Sequence, residues 1–190
     1  MAFLPDPDGD VPPDPGSYLL VFRLDQPVEL AIGCLGLRSF GRGWHVYAGS
    51  ARGGLRARLR HHLAPGRPVR WHVDALRGAA RLVELWVALG GEPIECALAA
   101  ALAQQPGAKR CPGFGSTDCR CPGHLISFAR RPRLAMLWPG LTRLPLASRP
   151  AGLERRTHGK RAPTQRAAGP TPGRTVPDVR HAEPGHRGHL

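Results

Sequence analysis

Apolar positions along the chain fall into two spacings, and each change of spacing marks a predicted element. "SYLLVFRL" (Ser17 to Leu24) and "VELAIGCLG" (Val28 to Gly36) are strand-like runs, joined by "DQP", a connection short enough for a hairpin. "GWHVYAGSA" (Gly43 to Ala51) predicts a third strand that closes in small residues permitting a tight turn. The spacing then becomes four. Leu55, Leu59 and Leu63 predict a helix with one apolar edge, and Arg56, Arg58, Arg60 and His62 are spread around the rest of it. "ARLVELWVAL" (Ala80 to Leu89) fits a strand or a helix, and the glycine pair after it favours a strand. "PIECALAAALAQQ" predicts a helix with proline near its start and Glu95 in its first turn. "HLISFA" (His124 to Ala129) is a short strand and the last expected core element. No internal repeat is visible. The sum is an α+β fold: a small antiparallel sheet flanked by helices.

Composition sets the boundaries. Residues 1–15 carry four aspartates and five prolines without hydrophobic periodicity, which predicts a flexible acidic leader. From Arg149 to Leu190 there are nine Lys+Arg, three Asp+Glu, six prolines, six glycines and no aromatic residue. Such a segment cannot offset the entropy of ordering a core, so residues 146–190 are expected to be a disordered basic tail, solvated or loosely attracted to nucleic acid. One domain, residues 16–145, lies between them.

The whole chain of 190 residues has 27 Lys+Arg against 14 Asp+Glu, a formal net charge of +13. Nearly all of the positive charge is arginine, whose planar fork of donors matches phosphate, so a polyanion is a natural partner. A GC-rich genome produces the same bias. No segment approaches the ~20 apolar residues of a membrane span, and "MAFLPDPDGD" has the features of no secretory signal, so a cytoplasmic location is expected. Five cysteines, an odd number in a chain of this length, suggest reduced thiols or a metal site rather than bridges.

The motifs have a specific order. "GSY" (Gly16 to Tyr18), "YAG" (Tyr47 to Gly49) and Leu55-x-x-Arg58-Leu59-x-x-His62 resemble the GIY-YIG nuclease superfamily. "RWHVDAL", "IECALA" and "GFGSTDCRCPGHL" are similar to a small GIY-YIG-like family of unknown function with W-H-I-D-Y-L and F-G-S-S-D-C-x-C motifs, whose members are sometimes fused to DNA glycosylases of the endonuclease III type. The likeness runs in order from Gly16 to Phe128. It departs from the superfamily at Ala48, where a branched aliphatic is usual, and lacks a clear counterpart of the asparagine near the end of the nuclease domain.

The resemblance implies metal-assisted hydrolysis of a phosphodiester bond, in DNA and in a repair setting. That chemistry needs an activated water, a cation beside the non-bridging oxygens and a divalent metal near the leaving oxygen. By resemblance, Tyr47 helps take the proton from water, with Tyr18 as its hydrogen-bonded companion. A phenol of ordinary pKa near ~10 needs a cationic setting for this, which Arg58 and the metal would provide. Arg58 would fork onto the scissile phosphate, His62 would donate to phosphate or support the tyrosine, and Arg56 and Arg60 would hold neighbouring phosphates or face water. His61 receives no role. The Gly53-Gly54 pair with Ser50 would let an anion approach the helix start. Glu95 would hold Mg²⁺ or Mn²⁺, ions that prefer oxygen donors.

Two clusters stand apart. In "WHVD", His72 and Asp74 share a face if the segment is extended, and would bind phosphate or orient one another. Cys119-x-Cys121-x-x-His124, with Cys111 or Cys96 as a fourth partner, has the donor types of a zinc site, although buried cysteines are also common core residues. The expected function is a small metal-dependent endonuclease. The alternatives are a nucleic-acid-binding module without catalysis and an accessory to a DNA repair glycosylase.

Overall fold

The structure, a computed structural model, describes residues 10–64, 66 and 68–146. Its central strand is β1 (Gly16–Leu24), flanked on both edges by antiparallel partners: β4 (Gly43–Ala51) on one side and β5 (Arg81–Leu89) on the other. Beyond β4 lie β7 (Leu125–Phe128) and β6 (Lys109–Cys111), and beyond β5 lies β8 (Thr142–Leu144). Every pairing in this six-stranded sheet is antiparallel.

A strand between two others has both faces available for packing, and β1 uses both. Tyr18, Leu20, Phe22 and Leu24 join Leu55, Leu59 and Leu63 of α1 (Leu55–Leu63) and Val73 and Leu76 of α2 (His72–Ala79) in one core. Leu19 and Val21 face the other way, onto Leu98, Ala99 and Leu102 of α3 (Glu95–Ala103). The period-two alternation of β1 thus feeds two apolar layers, and the near-continuous hydrophobicity of the run follows from it. The fold is α+β, as expected from the pattern.

The predicted hairpin between the first two runs does not form. Both edges of β1 are already paired, so β2 (Val28–Ala31) pairs instead with β3 (Leu37–Phe40) in a separate two-stranded sheet. The rest of the second run, Gly33–Leu35, is a 3₁₀ turn. "HLISFA" is not the last core element: β8 follows it, and Leu134 and Leu141 pack into the α3 layer. The segment containing "WHVD" is the start of α2 rather than extended chain.

Within the expected flexible leader, the described residues 10–15 are packed instead. Val11 is buried, the carbonyls of Pro12 and Asp14 accept from the backbone N–H groups of Arg56 and Leu55, and Pro15 accepts from Gly90. Residues 10–15 therefore close the open N-terminal turn of α1, whose first N–H groups have no partner within the helix. The rest of the expected leader, residues 1–9, and the expected tail from residue 147 lie outside the described residues. No helix among the described residues is long and apolar enough to cross a membrane.

Candidate active site and metal centre

Tyr18 and Tyr47 project from adjacent strands into one layer, with ring centroids 6.3 Å apart. Glycines make room for both rings. A Cβ at Gly49, directly opposite Tyr18 in the β1–β4 register, would stand 2.5 Å from the Tyr18 hydroxyl oxygen. A Cβ at Gly115, which has φ +74°, would stand 2.6 Å from a Tyr47 ring carbon. The "G" of "YAG" and the second glycine of "GFG" thus act as cradles for phenol rings.

Burial raises both phenols above the ordinary tyrosine range. Tyr47 and the acids Asp74 and Glu95 add to the rise at Tyr18, while Arg58 opposes it. Arg58 likewise opposes the rise at Tyr47 without overcoming desolvation. The expected cationic lowering of Tyr47 is therefore not achieved by the protein alone, because a half-buried guanidinium recovers less than a nearly complete loss of solvent costs.

Tyr18 is not hydrogen-bonded to Tyr47. Its hydroxyl lies 2.8 Å from His62 Nε2, and His62 Nδ1 lies 2.7 Å from Asp74 Oδ1. The order of protons in this chain follows from its ends. A carboxylate can only accept, so Nδ1–H donates to Asp74, leaving Nε2 to accept from the phenol when the ring is neutral. Burial lowers His62 even though Asp74 pulls it upward, which favours that neutral ring. Asp74 is fixed in turn: its Oδ2 accepts from the backbone N–H groups of Arg70 and Trp71, at 3.0 and 2.9 Å. His61 Nε2 lies 3.4 Å from the same oxygen.

Of the two roles expected for His62, the structure favours support of a tyrosine, here Tyr18, since the ring is too deeply buried to reach a phosphate. Asp74 pairs with His62 rather than with His72, because the helical backbone of α2 points the two side chains apart. His72 instead accepts at Nδ1 from the Gly115 backbone N–H, 3.1 Å away, and so fastens the glycine-rich loop beside Tyr47.

The arginines of α1 part company. Arg58 stacks on Trp71, its guanidinium carbon 4.3 Å from the ring centroid, and Arg70 lies 4.8 Å from the same ring. Arg56 is turned away: its Nε donates to the Val11 carbonyl at 2.9 Å and holds residues 10–15 in place. It lines neither of the two depressions described below. Arg60 lines a neighbouring groove. The predicted anion approach at the start of α1 is closed as well, since the carbonyls of Asp14 and Pro12 already take the N–H groups there.

Tyr18, Tyr47, Arg58, His72, Glu95 and His124 all line one cavity of about 280 Å³, together with Arg70, Trp71 and Asp118. Glu95 opens α3 next to Ile94, whose backbone N–H donates to the Ser17 hydroxyl at 2.9 Å, so β1 itself sets the start of that helix. Glu95 Oε2 is buried and has no hydrogen-bond partner. A carboxylate oxygen left without a donor is costly, and a cation removes the cost.

Behind this wall lies the cysteine cluster. One ligand atom from each of Cys96, Cys119, Cys121 and His124 falls within 4.8 Å of all the others, and this group can hold a metal ion. His124 Nε2 stands 3.6 Å from Cys96 Sγ and 3.5 Å from Cys119 Sγ. The fourth partner is thus Cys96 from α3. Cys111 lies in β6 and is not in the group. Burial and the neighbouring Cys121 and Cys119 thiols push Cys96 up to about 12, so Cys96 resists ionisation without a cation to compensate.

The whole constellation lies between Tyr18 and His124. The model of the family described as Domain of unknown function DUF123 matches residues 17–140. The chain belongs to that family. No curated protein matches it, and neither does any solved structure. Within this DUF123 domain, sequence reasoning missed Asp118, Arg70 and Trp71 as cavity residues and misassigned the partner of Asp74. Trp71 and Asp74 sat inside a quoted motif, "RWHVDAL". Their roles were hidden because a helix start, not a strand, presents them.

Proposed function

We propose that the protein is a GIY-YIG-type, metal-dependent endonuclease that hydrolyses phosphodiester bonds in nucleic acid, with DNA the expected substrate. The observation that supports it is convergence: two phenols, a guanidinium and a carboxylate, drawn from β1, β4, α1 and α3, line a single cavity. Packing alone has no need to gather these groups at one opening.

Glu95 fits a divalent cation, since its buried Oε2 lacks any donor, and Asp118 lines the same cavity. Mg²⁺ or Mn²⁺ held there would neutralise charge near the leaving oxygen. Arg58, held over the Trp71 ring, presents donors to the non-bridging oxygens. Tyr18 is the phenol with a proton acceptor: it can take a proton from the attacking water as its own passes to His62 Nε2, and Asp74 stabilises the resulting imidazolium. This exchanges the tyrosine roles expected from the resemblance. Tyr47, kept protonated by burial, serves as a hydrogen-bond donor toward the phosphate.

The second metal is assigned as zinc, because three sulfurs and one imidazole match its structural sites better than they match magnesium. It would staple the loop carrying Thr117 and Asp118 to α3. A second reading, a module that binds nucleic acid without cutting it, draws on the raised phenols. Both are decided by incubating the purified protein with single-stranded, nicked and branched DNA and Mg²⁺ or Mn²⁺, beside Tyr18→Phe, Arg58→Ala and Glu95→Gln. Cleavage by the native chain that all three variants lose supports the nuclease. Salt-sensitive retention of DNA without products at any metal concentration supports the binding module.

A further inference from the structure

A second depression adjoins the tyrosine cavity and shares Arg58, Arg70 and Trp71 with it. It has a volume of about 410 Å³, and Gly53, Ala57, Arg60 and His61 are among its other walls. Two guanidinium groups rest against the Trp71 ring here, and like charges held on one plate repel unless an anion lies between them. Among the described residues, neither Arg58 nor Arg70 has a side-chain hydrogen bond or an ion pair with a protein acceptor. The neighbouring carboxylate, Asp74, is already engaged by His62 and two backbone donors.

The Trp71 ring is not free for a nucleobase. His61 meets it edge-on at 4.6 Å and His62 at 5.1 Å, while the two guanidinium carbons lie 4.3 and 4.8 Å from its centroid. The tryptophan orients charge rather than offering a stacking face. Arg58 and Arg70 therefore keep donors to offer, since each guanidinium carries five N–H groups in a fixed fork.

We propose that this groove is a second phosphate subsite, in which Arg70 holds the phosphodiester next to the one facing Tyr18 and Glu95. The proposal rests on reading the first cavity as a phosphodiester site. It adds that the protein engages at least two consecutive phosphates of one strand and does so without reading the bases. Arg58, on the border, faces both phosphates. Trp71 is a positioning residue that acts through the two guanidinium groups.

The test counts phosphates. Thymidylyl-thymidine carries one internucleotide phosphate and the thymidine trinucleotide carries two. The ribo-analogues UpU and UpUpU supply the same chemistry from RNA. Each is titrated into the metal-free full chain in EDTA, where no cleavage competes, and binding is followed by amide chemical shifts. The native protein is expected to bind the two-phosphate ligand more tightly than the one-phosphate ligand by roughly five- to tenfold, the worth of one charge-assisted contact. Arg70→Ala, which borders both depressions, is expected to weaken the two-phosphate ligand several-fold more than the one-phosphate ligand and so to remove that advantage. Arg70→Lys restores part of it.

With a longer single strand, Arg70→Ala also lowers the magnitude of the slope of log K against log salt by about 0.7, the signature of one phosphate contact. Arg81→Ala, at the exposed first residue of β5, serves as the control for bulk charge. An equal loss for both ligands, no loss for either, or no binding by the native chain overturns the subsite. If trinucleotide binding depends on Arg70 but no metal supports cleavage, the subsite stands and the hydrolase reading falls. Preference for the deoxy or ribo series identifies the source of the strand.

Discussion

Replacing Asp74 by asparagine probes the buried chain that ends at Tyr18. Burial acts to raise the Asp74 carboxyl, but hydrogen bonds from His62 and from the backbone N–H groups of Trp71 and Arg70 outweigh it, holding the group at about 2 against an ordinary 3.8. A folded-state value below the unfolded one stabilises the fold above the unfolded value. The stabilisation is then lost as pH falls through the folded one. At face value the shift corresponds to roughly 2.4 kcal/mol. Solvent in the neighbouring groove screens the group, which reduces the expected contribution to roughly 1–2 kcal/mol. Asparagine keeps one acceptor oxygen but turns an NH₂ toward donors, so Asp74→Asn should lower Tm at neutral pH by roughly 3–8 °C. Urea melts of both proteins between about pH 7 and about pH 2 should show the gap fully open above pH ~4 and closing toward the lower end. His45, His62, His72 and His124, all lowered by burial, add acid sensitivity beginning below their ordinary 6.5, and most of it is common to both proteins. The quantity to read is therefore the difference between the curves from about pH 4 to about pH 2. Parallel curves through that window, or equal stability at neutral pH, would refute the reasoning.

Other consequences follow from the same geometry. Gly49→Ala sets a Cβ against the Tyr18 hydroxyl and should cost roughly 2–3 kcal/mol while weakening the Tyr18–His62 bond, read by denaturant melts and by the imidazole nitrogen shifts. One zinc per chain should appear in elemental analysis; Cys119→Ser or a strong chelator should remove it and lower Tm by more than the loss of one ordinary hydrogen bond. Glu95→Gln should abolish metal-dependent cleavage while leaving metal-free oligonucleotide affinity within about twofold or raising it, since a negative charge near phosphate is removed. Arg56→Ala should free residues 10–15 from α1 and expose them to limited proteolysis, with little effect on oligonucleotide binding.

Local chemistry made much of the molecule legible in the sequence. The strand-like apolar runs became β1, β4, β5 and β7, with the glycine pair deciding β5, and leucines spaced by four became α1. The residue types needed for phosphodiester chemistry were visible too, and Tyr18, Tyr47, Arg58 and Glu95 do meet in one cavity. Short elements escaped. β3, β6 and β8 are three or four residues long, so their sequences hold less than one clear alternation and only a waiting neighbour makes them strands.

What tertiary structure alone decided was partnership. No spacing rule could show that both edges of β1 are taken, that Asp74 serves His62 instead of His72, that Arg56 faces the leader while Arg58 faces the cavity, or that Cys96 completes the cysteine cluster. Hydrophobic periodicity records how each segment turns toward the core. The identity of the atom it meets there depends on chain separated by up to a hundred residues, and that choice is made only when all the segments pack together.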